Sequence, residues 1–182
     1  MIFNKNFTYS QGCIYYDKGK YKEAFNIFFD LAKNENADAQ NNIACMYLDG
    51  FGVKKNKEKA FFWFKKAIEN ESENAEYYLG KYKINLGMIE EGLFLLNEAH
   101  THCQDDAIYL LATYYHNGTF VERDIAKSLK LFEESAILGH KKALLKLITY
   151  INAKNGKLLA IKKVVQILLK ILKHRGTGCN FK

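Results

Sequence analysis

Ligand-type side chains gather in one short segment of the sequence, which holds His100, His102, Cys103, Asp105 and Asp106. Imidazole nitrogen, thiolate sulfur and carboxylate oxygen are the ligands that zinc takes, and a cysteine with a histidine is an arrangement for nucleophilic catalysis. Side chains two positions apart on a helix point in different directions, however, so the segment cannot form a tetrahedral site by itself. We interpret it as a helix terminus and keep a metal- or thiol-dependent enzyme around His100 to Cys103 as an alternative.

Glycines are the second feature that could serve a ligand, because glycine-rich loops bind phosphate. The stretch GFGV contains Gly50 and Gly52, but it follows a helical pattern instead of a strand and lacks both phosphate-loop motifs. We interpret Gly50 as a left-handed helix cap and Gly52 as a turn position. Trp63, the only tryptophan, is expected between helices in the core and not on a ligand platform. The sequence thus predicts no catalytic residue, no cofactor and no metal, and we expect no enzymatic activity.

The segments that position these residues repeat along the chain. In most copies a small residue precedes an aromatic residue by three places, and a second small residue follows, four places before another large side chain. The copies begin 32, 36, 32 and 36 residues apart, so every second copy aligns at a super-period of 68 residues. The residues that make up this repeat signature and its loops are Gly12, Tyr15, Ala24, Phe28, Ala44, Tyr47, Gly50, Gly52, Ala60, Trp63, Ala67, Gly80, Ala112, Tyr115 and Gly118.

Each copy predicts two antiparallel helices, because apolar residues recur at i, i+3, i+4 and i+7 and glycines or polar residues separate the runs. Small residues on both helices let the backbones approach closely. The expected fold class is all-α, as a single helical-repeat domain over 1–175 followed by a flexible tail at 176–182. Its units are approximately 5–36, 37–72, 73–104, 105–140 and 141–175, the last a degenerate cap.

Two of these units resemble a known family, the Sel-one-like repeat of the tetratricopeptide-like superfamily. The likeness is most specific in the second unit, and the first unit resembles a tetratricopeptide repeat. The fourth unit has Phe120, Ser128 and Leu131 where the second has a glycine, an alanine and the tryptophan. The residues that carry the likeness in the second unit are Ala37, Ala39, Gln40, Ala44, Tyr47, Gly50, Gly52, Val53, Asn56, Lys59, Ala60, Trp63, Lys66 and Ala67.

The resemblance implies a right-handed superhelix, or solenoid, of about five antiparallel helix pairs that serves as a protein-interaction scaffold or adaptor. A protein or peptide would bind in its concave groove, and in one form of this hypothesis the protein regulates an effector by sequestering it. The alternative is that the groove positions are ordinary solvated helix positions. In tetratricopeptide-like repeats the first helix of each pair lines the groove, which gives Asn6, Tyr9, Tyr16, Asp38, Asn41, Leu48, Asn74, Tyr77, Lys81, Asp106, Tyr109, His116, Asn117 and Thr149 in this chain.

Charge is distributed unevenly along the chain. Residues 1–134 contain 16 basic and 20 acidic side chains, whereas 135–182 contain 11 basic and no acidic ones. The last predicted helix has a basic face next to an apolar arc of about 200 degrees, which is wider than one neighbouring helix needs. We expect this helix to act as a cap or as a second contact surface, including one between protomers, with an anionic membrane or a nucleic acid as alternative partners. Its basic face consists of Lys162, Lys163, Lys170 and Lys173.

Cysteine usage and hydropathy bear on the cellular compartment. The four cysteines Cys13, Cys45, Cys103 and Cys179 are widely spaced in the 182-residue chain, so reduced thiols are expected instead of a disulfide framework. The N-terminal residues do not follow the pattern of a secretory signal, and no apolar run is long enough to cross a bilayer. These features predict a cytoplasmic protein.

Overall fold

The regular elements are all helical. The computed structural model describes residues 8–154 and 157–174, and this part of the chain contains ten α-helices and no strand. The predicted all-α fold class is confirmed. The helices are α1 Tyr9–Asp17, α2 Tyr21–Lys33, α3 Ala37–Asp49, α4 Lys57–Glu69, α5 Ala75–Asn85, α6 Ile89–Thr101, α7 Asp105–Asn117, α8 Ile125–Leu138, α9 Lys141–Lys154 and α10 Lys157–His174.

The contacts divide the chain into two compact units, Met1–Leu79 and Gly80–Lys182, with the boundary inside α5. In the first unit α1 packs on α2, α2 on α3 and α3 on α4. In the second unit α6 packs on α7, α7 on α8 and α8 on α9, while α10 packs on both α8 and α9. The organisation as a single domain stays a prediction, and the tail at 176–182 lies outside the described residues.

Polar caps and left-handed glycines set the ends of the helices. The side chains of Asn36 and Asn56 accept hydrogen bonds of 2.8 Å from the backbone N–H groups three residues later, which fixes the start of α3 and of α4. Gly50 ends α3 at φ +77°, and Gly118 ends α7 at φ +69°. Glycine adopts the left-handed conformation at the lowest cost. The predicted cap at Gly50 is confirmed.

Small residues allow the helices of a pair to touch. A Cβ atom added to Gly12 would lie 2.5 Å from the ring of Phe28 on the next helix. Ala44 and Ala60 are completely buried where α3 crosses α4, and Ala112 is buried in the same way on α7. A larger side chain at these positions would overpack the crossings, so we attribute the repeat signature to close packing of the helices.

Aromatic side chains attach the α3–α4 loop to the start of α2. The ring of Phe51 stacks on Tyr21 with centroids 4.5 Å apart, and Gly52 lies so close to Tyr21 that an added Cβ would be 2.3 Å from its carbonyl oxygen. Trp63 on α4 meets the ring of Phe29 on α2 edge-on at 5.8 Å and borders the buried core of the first unit. Its surroundings agree with the expected role in the core.

A buried amide joins consecutive helix pairs in the first unit. Gln40 is 2% exposed, its Nε2 donates to the Ala32 carbonyl at 3.1 Å, and its Oε1 accepts from Asn70 Nδ2 at 2.9 Å. The side chain thereby holds the end of α2, the start of α3 and the end of α4 in one arrangement. Because each bond is directional, this contact fixes the angle between the pairs more tightly than an apolar contact would.

The contact at Gly52 predicts a difference between two glycine substitutions. Gly19 and Gly52 both have φ +70°, but nothing lies within 4 Å of a Cβ added to Gly19. Gly19→Ala should therefore lower the free energy of unfolding by about 1 kcal/mol, which is the cost of the left-handed conformation for an alanine. Gly52→Ala should lower the free energy of unfolding by roughly 1 to 3 kcal/mol more, because the loop must move away from Tyr21. Urea unfolding of both variants measures this difference, and equal losses would contradict the packing at Gly52.

Candidate functional site

The candidate site is formed by the first helices of the first unit. A cleft with a volume of about 180 Å³ opens between α1 and α3. We call the surface around it the first-helix face, and it includes the exposed ends of α1 and α3 and the first residues of α5. The cleft is lined by Tyr9, Cys13, Tyr16, Asp17, Phe28, Asn42 and Cys45.

Tyr9 lies at one end of this cleft and is fixed by contacts from two helices. Its ring packs on Phe28 with centroids 5.5 Å apart, and its hydroxyl oxygen accepts a 2.9 Å hydrogen bond from Asn42 Nδ2. Burial raises the pKa of the Tyr9 hydroxyl from 10.0 to about 12, and the neighbouring Cys13 adds to this effect. Tyr9 therefore presents a neutral hydroxyl at neutral pH.

Tyr16 forms the aromatic centre of the face. Its ring meets Tyr21 edge-on at 5.2 Å and Phe51 edge-on at 6.0 Å. Burial raises the pKa of the Tyr16 hydroxyl, and the negative charge of Asp49 raises it further, which places that carboxylate near the hydroxyl. Tyr78 on α5, which is 40% exposed, also raises the pKa of Tyr16. The face thus combines two tyrosines with a carboxylate.

The side chains of α3 that line the cleft are not the ones that the sequence singled out. Asn41 is 5% exposed and its Oδ1 has no hydrogen-bond partner within the described residues, whereas Asn42, the next residue, lines the cleft. Cys45 lines it as well, in the place that Cys13 occupies on α1, directly after a small residue. The equivalent positions of the two cysteines in the repeats could therefore have identified both as cleft residues. The predicted part of Asn41 in partner binding stays a prediction.

The other predicted groove residues of the first unit vary in exposure. Asp38 is exposed, and one of its carboxylate oxygens accepts a hydrogen bond from Ser72 Oγ at 3.3 Å. The half-buried ones are Leu48, Asn74 and Tyr77. Tyr78 is more exposed than the predicted Tyr77, and Asn6 lies outside the described residues.

In the second unit the corresponding polar side chains pair with each other. Asp106 Oδ1 lies 3.1 Å from His140 Nε2, and the His140 ring stacks on Tyr109 at 4.2 Å. His116 Nδ1 lies 3.4 Å from the hydroxyl of the buried Ser128. These contacts leave less of the α7 surface for a partner. The remaining predicted positions, Lys81, Asn117 and Thr149, are exposed.

The segment with ligand-type residues does not assemble a metal site. His100 Nε2 lies 3.1 Å from Glu134 Oε2, so this histidine is engaged with α8. Cys103 is disulfide-bonded, which makes the expectation of a reduced thiol wrong for this residue, while Cys13 and Cys45 are reduced. Within residues 8–154 and 157–174, no group of three histidine, cysteine or acidic side chains is arranged to hold a metal ion.

Helix α10 presents a second surface. Ile167 is buried against its neighbours, and Lys170 forms an ion pair with Glu133 on α8. A cavity of about 530 Å³ lies among α8, α9 and α10. The predicted lysine face is exposed along its length, and no described helix is long and apolar enough to cross a membrane. The exposed apolar side chains beside these lysines are Val165, Leu168, Leu169 and Leu172.

The raised pKa of Tyr9 predicts how stability changes at high pH. Below pH 10 the hydroxyl is neutral in both the folded and the unfolded chain, and its burial has no electrostatic cost. As the pH rises from 10 toward about 12, the Tyr9 hydroxyl ionises in the unfolded chain before it ionises in the folded one. The free energy of unfolding therefore decreases over this range. Tyr9→Phe removes the ionisable group and should lose less stability over this range. Urea unfolding at a series of alkaline pH values measures this, and parallel losses in both proteins would contradict it.

The comparisons with known proteins agree with this architecture. The family model of the Sel1 repeat matches residues 37–72 and 105–140. These segments are the second and fourth predicted units and begin 68 residues apart, which is the super-period found in the sequence. A search of curated proteins gives no match.

Solved structures show the same fold. The crystal structure of a Sel1 repeat protein from Oxalobacter formigenes is 26% identical and has a TM-score of 0.68, over 92% of this chain and 70% of that one. The antigen c5321 of uropathogenic Escherichia coli, which displays an SLR fold, is 20% identical with a TM-score of 0.63, over 84% of this chain and 34% of its own. Two segments of the chain therefore match the Sel1 repeat, which is the repeat that the sequence resembled, and the chain is similar in fold to a solved Sel1 repeat protein.

Proposed function

We propose that this protein is an interaction module that binds a segment of a partner protein through the first-helix face of its first unit. Proteins with the Sel1 repeat fold typically serve as interaction scaffolds, and the fold is generally non-catalytic. The observation that carries the proposal is the α1–α3 cleft, which combines tyrosine rings with the Asn42 amide. Tyrosines supply contact area at low entropic cost, and amides bond to peptide backbone.

The partner segment would lie across the cleft from α1 toward the start of α5. Tyr16 and the exposed Tyr78 are near each other on this route, so both rings contribute to one contact surface. Sequestering an effector is one form of this function, because a segment held on the face is unavailable to other proteins.

Exchanging one exposed aromatic side chain tests the proposal. Tyr78→Ala should weaken capture of the native partner by about tenfold, or about 1.4 kcal/mol, because an aromatic anchor is lost from the contact surface. The partner is identified by affinity capture from the native cell with mass spectrometry and then titrated in purified form.

Phe62→Ala serves as the matched control. Phe62 is 55% exposed on α4, a second helix, so this variant also loses an exposed aromatic ring but leaves the first-helix face intact. It should bind as the unsubstituted protein does. Equal affinity of the Tyr78→Ala variant, with unchanged circular dichroism, would refute the assignment of the face.

A second candidate function is attachment to an anionic membrane through α10, favoured by four exposed apolar side chains next to lysines. Lys162→Glu combined with Lys173→Glu should then reduce co-sedimentation with phosphatidylserine vesicles by about tenfold or more, since each lysine near the surface contributes about 1 kcal/mol. The control is Lys141→Glu with Lys142→Glu, which makes the same charge change on α9. Equal losses in both variants, or no binding, would eliminate this candidate.

A further inference from the structure

The second unit contains a cavity that is large enough for a small molecule. The space among α8, α9 and α10 has a volume of about 530 Å³. Close-packed protein interiors hold few voids larger than a water molecule, whereas pockets for small molecules measure roughly 300 to 1,000 Å³. All the residues that line this cavity belong to the second unit, so it is distinct from the first-helix face.

The corresponding junction in the first unit is filled by aromatic rings. Helices α2, α3 and α4, like α8, α9 and α10, are the second helix of one pair followed by both helices of the next. Phe25 on α2 meets Tyr47 on α3 edge-on, with ring centroids 5.4 Å apart. Phe29 on α2 meets Trp63 on α4 in the same way at 5.8 Å. These four rings pack together beside the buried core of the first unit.

The repeat places residues of the cavity lining at these same four positions of the second unit. Helices α8 and α9 begin 104 positions after α2 and α3, and α10 begins 100 positions after α4 because the loop before it is shorter. The counterparts of Phe25, Phe29, Tyr47 and Trp63 are Leu129, Glu133, Ile151 and Lys163. All four counterparts line the cavity, and none of them is aromatic. The cavity therefore lies where the first unit has its aromatic rings.

Aliphatic side chains from all three helices form the apolar part of the lining. Leu147 and Ile151 on α9 and Ile167 on α10 are each less than 10% exposed, and Leu129 on α8 is half-buried. A hydrocarbon chain placed against these side chains is removed from water, which is favourable in proportion to the apolar area that is buried. The lining thus suits an alkyl chain.

The charged part of the lining is mainly basic. It consists of Lys130, Lys163, Lys170 and Glu133, which gives a formal net charge of +2. Glu133 is paired with Lys170, whereas Lys130 is exposed and forms no ion pair with any residue that the structure describes. Neither α9 nor α10 contains an acidic residue. An anionic group at this cavity would therefore be stabilised by nearby cations.

We propose that the cavity among α8, α9 and α10 binds a single-chain anionic amphiphile, that is, an alkyl chain with a carboxylate or similar head group. The alkyl chain packs against Leu147, Ile151 and Ile167 and takes the space that aromatic rings take in the first unit. The head group lies at Lys130 and Lys163 and accepts hydrogen bonds from ammonium groups. This site goes beyond the proposed function, because it binds a small molecule in the other unit.

Simple amphiphiles below their micelle concentrations test both parts of the ligand. The full chain is titrated with octanoate, nonanoate and decanoate by isothermal titration calorimetry. We expect one site, with an affinity that rises up to about fourfold for each added methylene, because each methylene is buried in the cavity. Decanoate should bind about fivefold or more tightly than 1-decanol, which lacks the charge, and decyltrimethylammonium should bind more weakly than either.

Restoring two of the rings tests the cavity without changing any charge. Leu129→Phe combined with Ile151→Tyr introduces the residues that the first unit has at these positions and should weaken decanoate binding by about tenfold or more, because the rings occupy the space of the alkyl chain. The control is Leu145→Phe with Leu169→Tyr, which makes the same exchanges at exposed positions outside the cavity lining and should bind as the unsubstituted protein does. Circular dichroism and urea unfolding confirm that both variants are folded.

A lysine exchange tests the head-group position and does not depend on repacking. Lys130→Gln should weaken decanoate binding by about threefold and leave 1-decanol binding unchanged, because only the ionic contact is lost. Lys142→Gln makes the same change in net charge at an exposed position of α9 that does not line the cavity, and it should have no effect.

Several results would overturn the site. These are the absence of decanoate binding, an affinity that does not depend on chain length, equal binding of decanoate and decyltrimethylammonium, unchanged binding by the folded ring variant, and equal effects of the two lysine variants. Co-sedimentation with anionic vesicles in the absence of decanoate binding would place lipid contact on the outer face of α10 and would likewise overturn the cavity site.

Discussion

The close approach of two helices at glycine and alanine is the constraint on which the fold depends. Gly12 leaves room for the ring of Phe28, and the fully buried Ala44 and Ala60 lie where α3 crosses α4. With the backbones so close, large side chains can pack only beside the crossing, where they build the core between one pair and the next. Side chains on the outer surface of the first helix of each pair therefore take no part in packing at these crossings. Residues there can vary with the partner while the fold stays the same.

The two units use that freedom differently. In the first unit the acidic side chains of α1 and α3 face solvent and a small cleft. In the second, Asp106 and Tyr109 are engaged by His140 from the turn before α9. A contact of this kind between Asp106 and His140 occupies groups that a ligand would need. The proposed binding face therefore lies in the first unit, whereas the corresponding surface of the second unit makes internal contacts.

The sequence reveals the period, the caps and the crossings because each is set by residues near one another in the chain. Gly50 needs a left-handed backbone, and Ala60 needs a close neighbour, wherever the unit sits. The rotation of a helix is harder to read: Asn41 and Asn42 differ by about 100 degrees around α3, and both are polar. Which of them is buried depends on tertiary packing that no local pattern specifies. The same holds for the disulfide at Cys103, since bonding depends on distance in space.

The buried Gln40 has a consequence for how the two repeats respond to temperature. The residues 68 positions after Gln40 and Asn70 are Ile108, which is fully buried, and Leu138, which is half-buried. Exposing apolar surface on unfolding raises the heat capacity, whereas exposing polar surface lowers it. The apolar positions therefore add to the curvature of the stability curve, and the amide pair reduces it. On cooling, hydrophobic contacts weaken, so the junction at Gln40 keeps more of its strength in the cold than its apolar counterpart does.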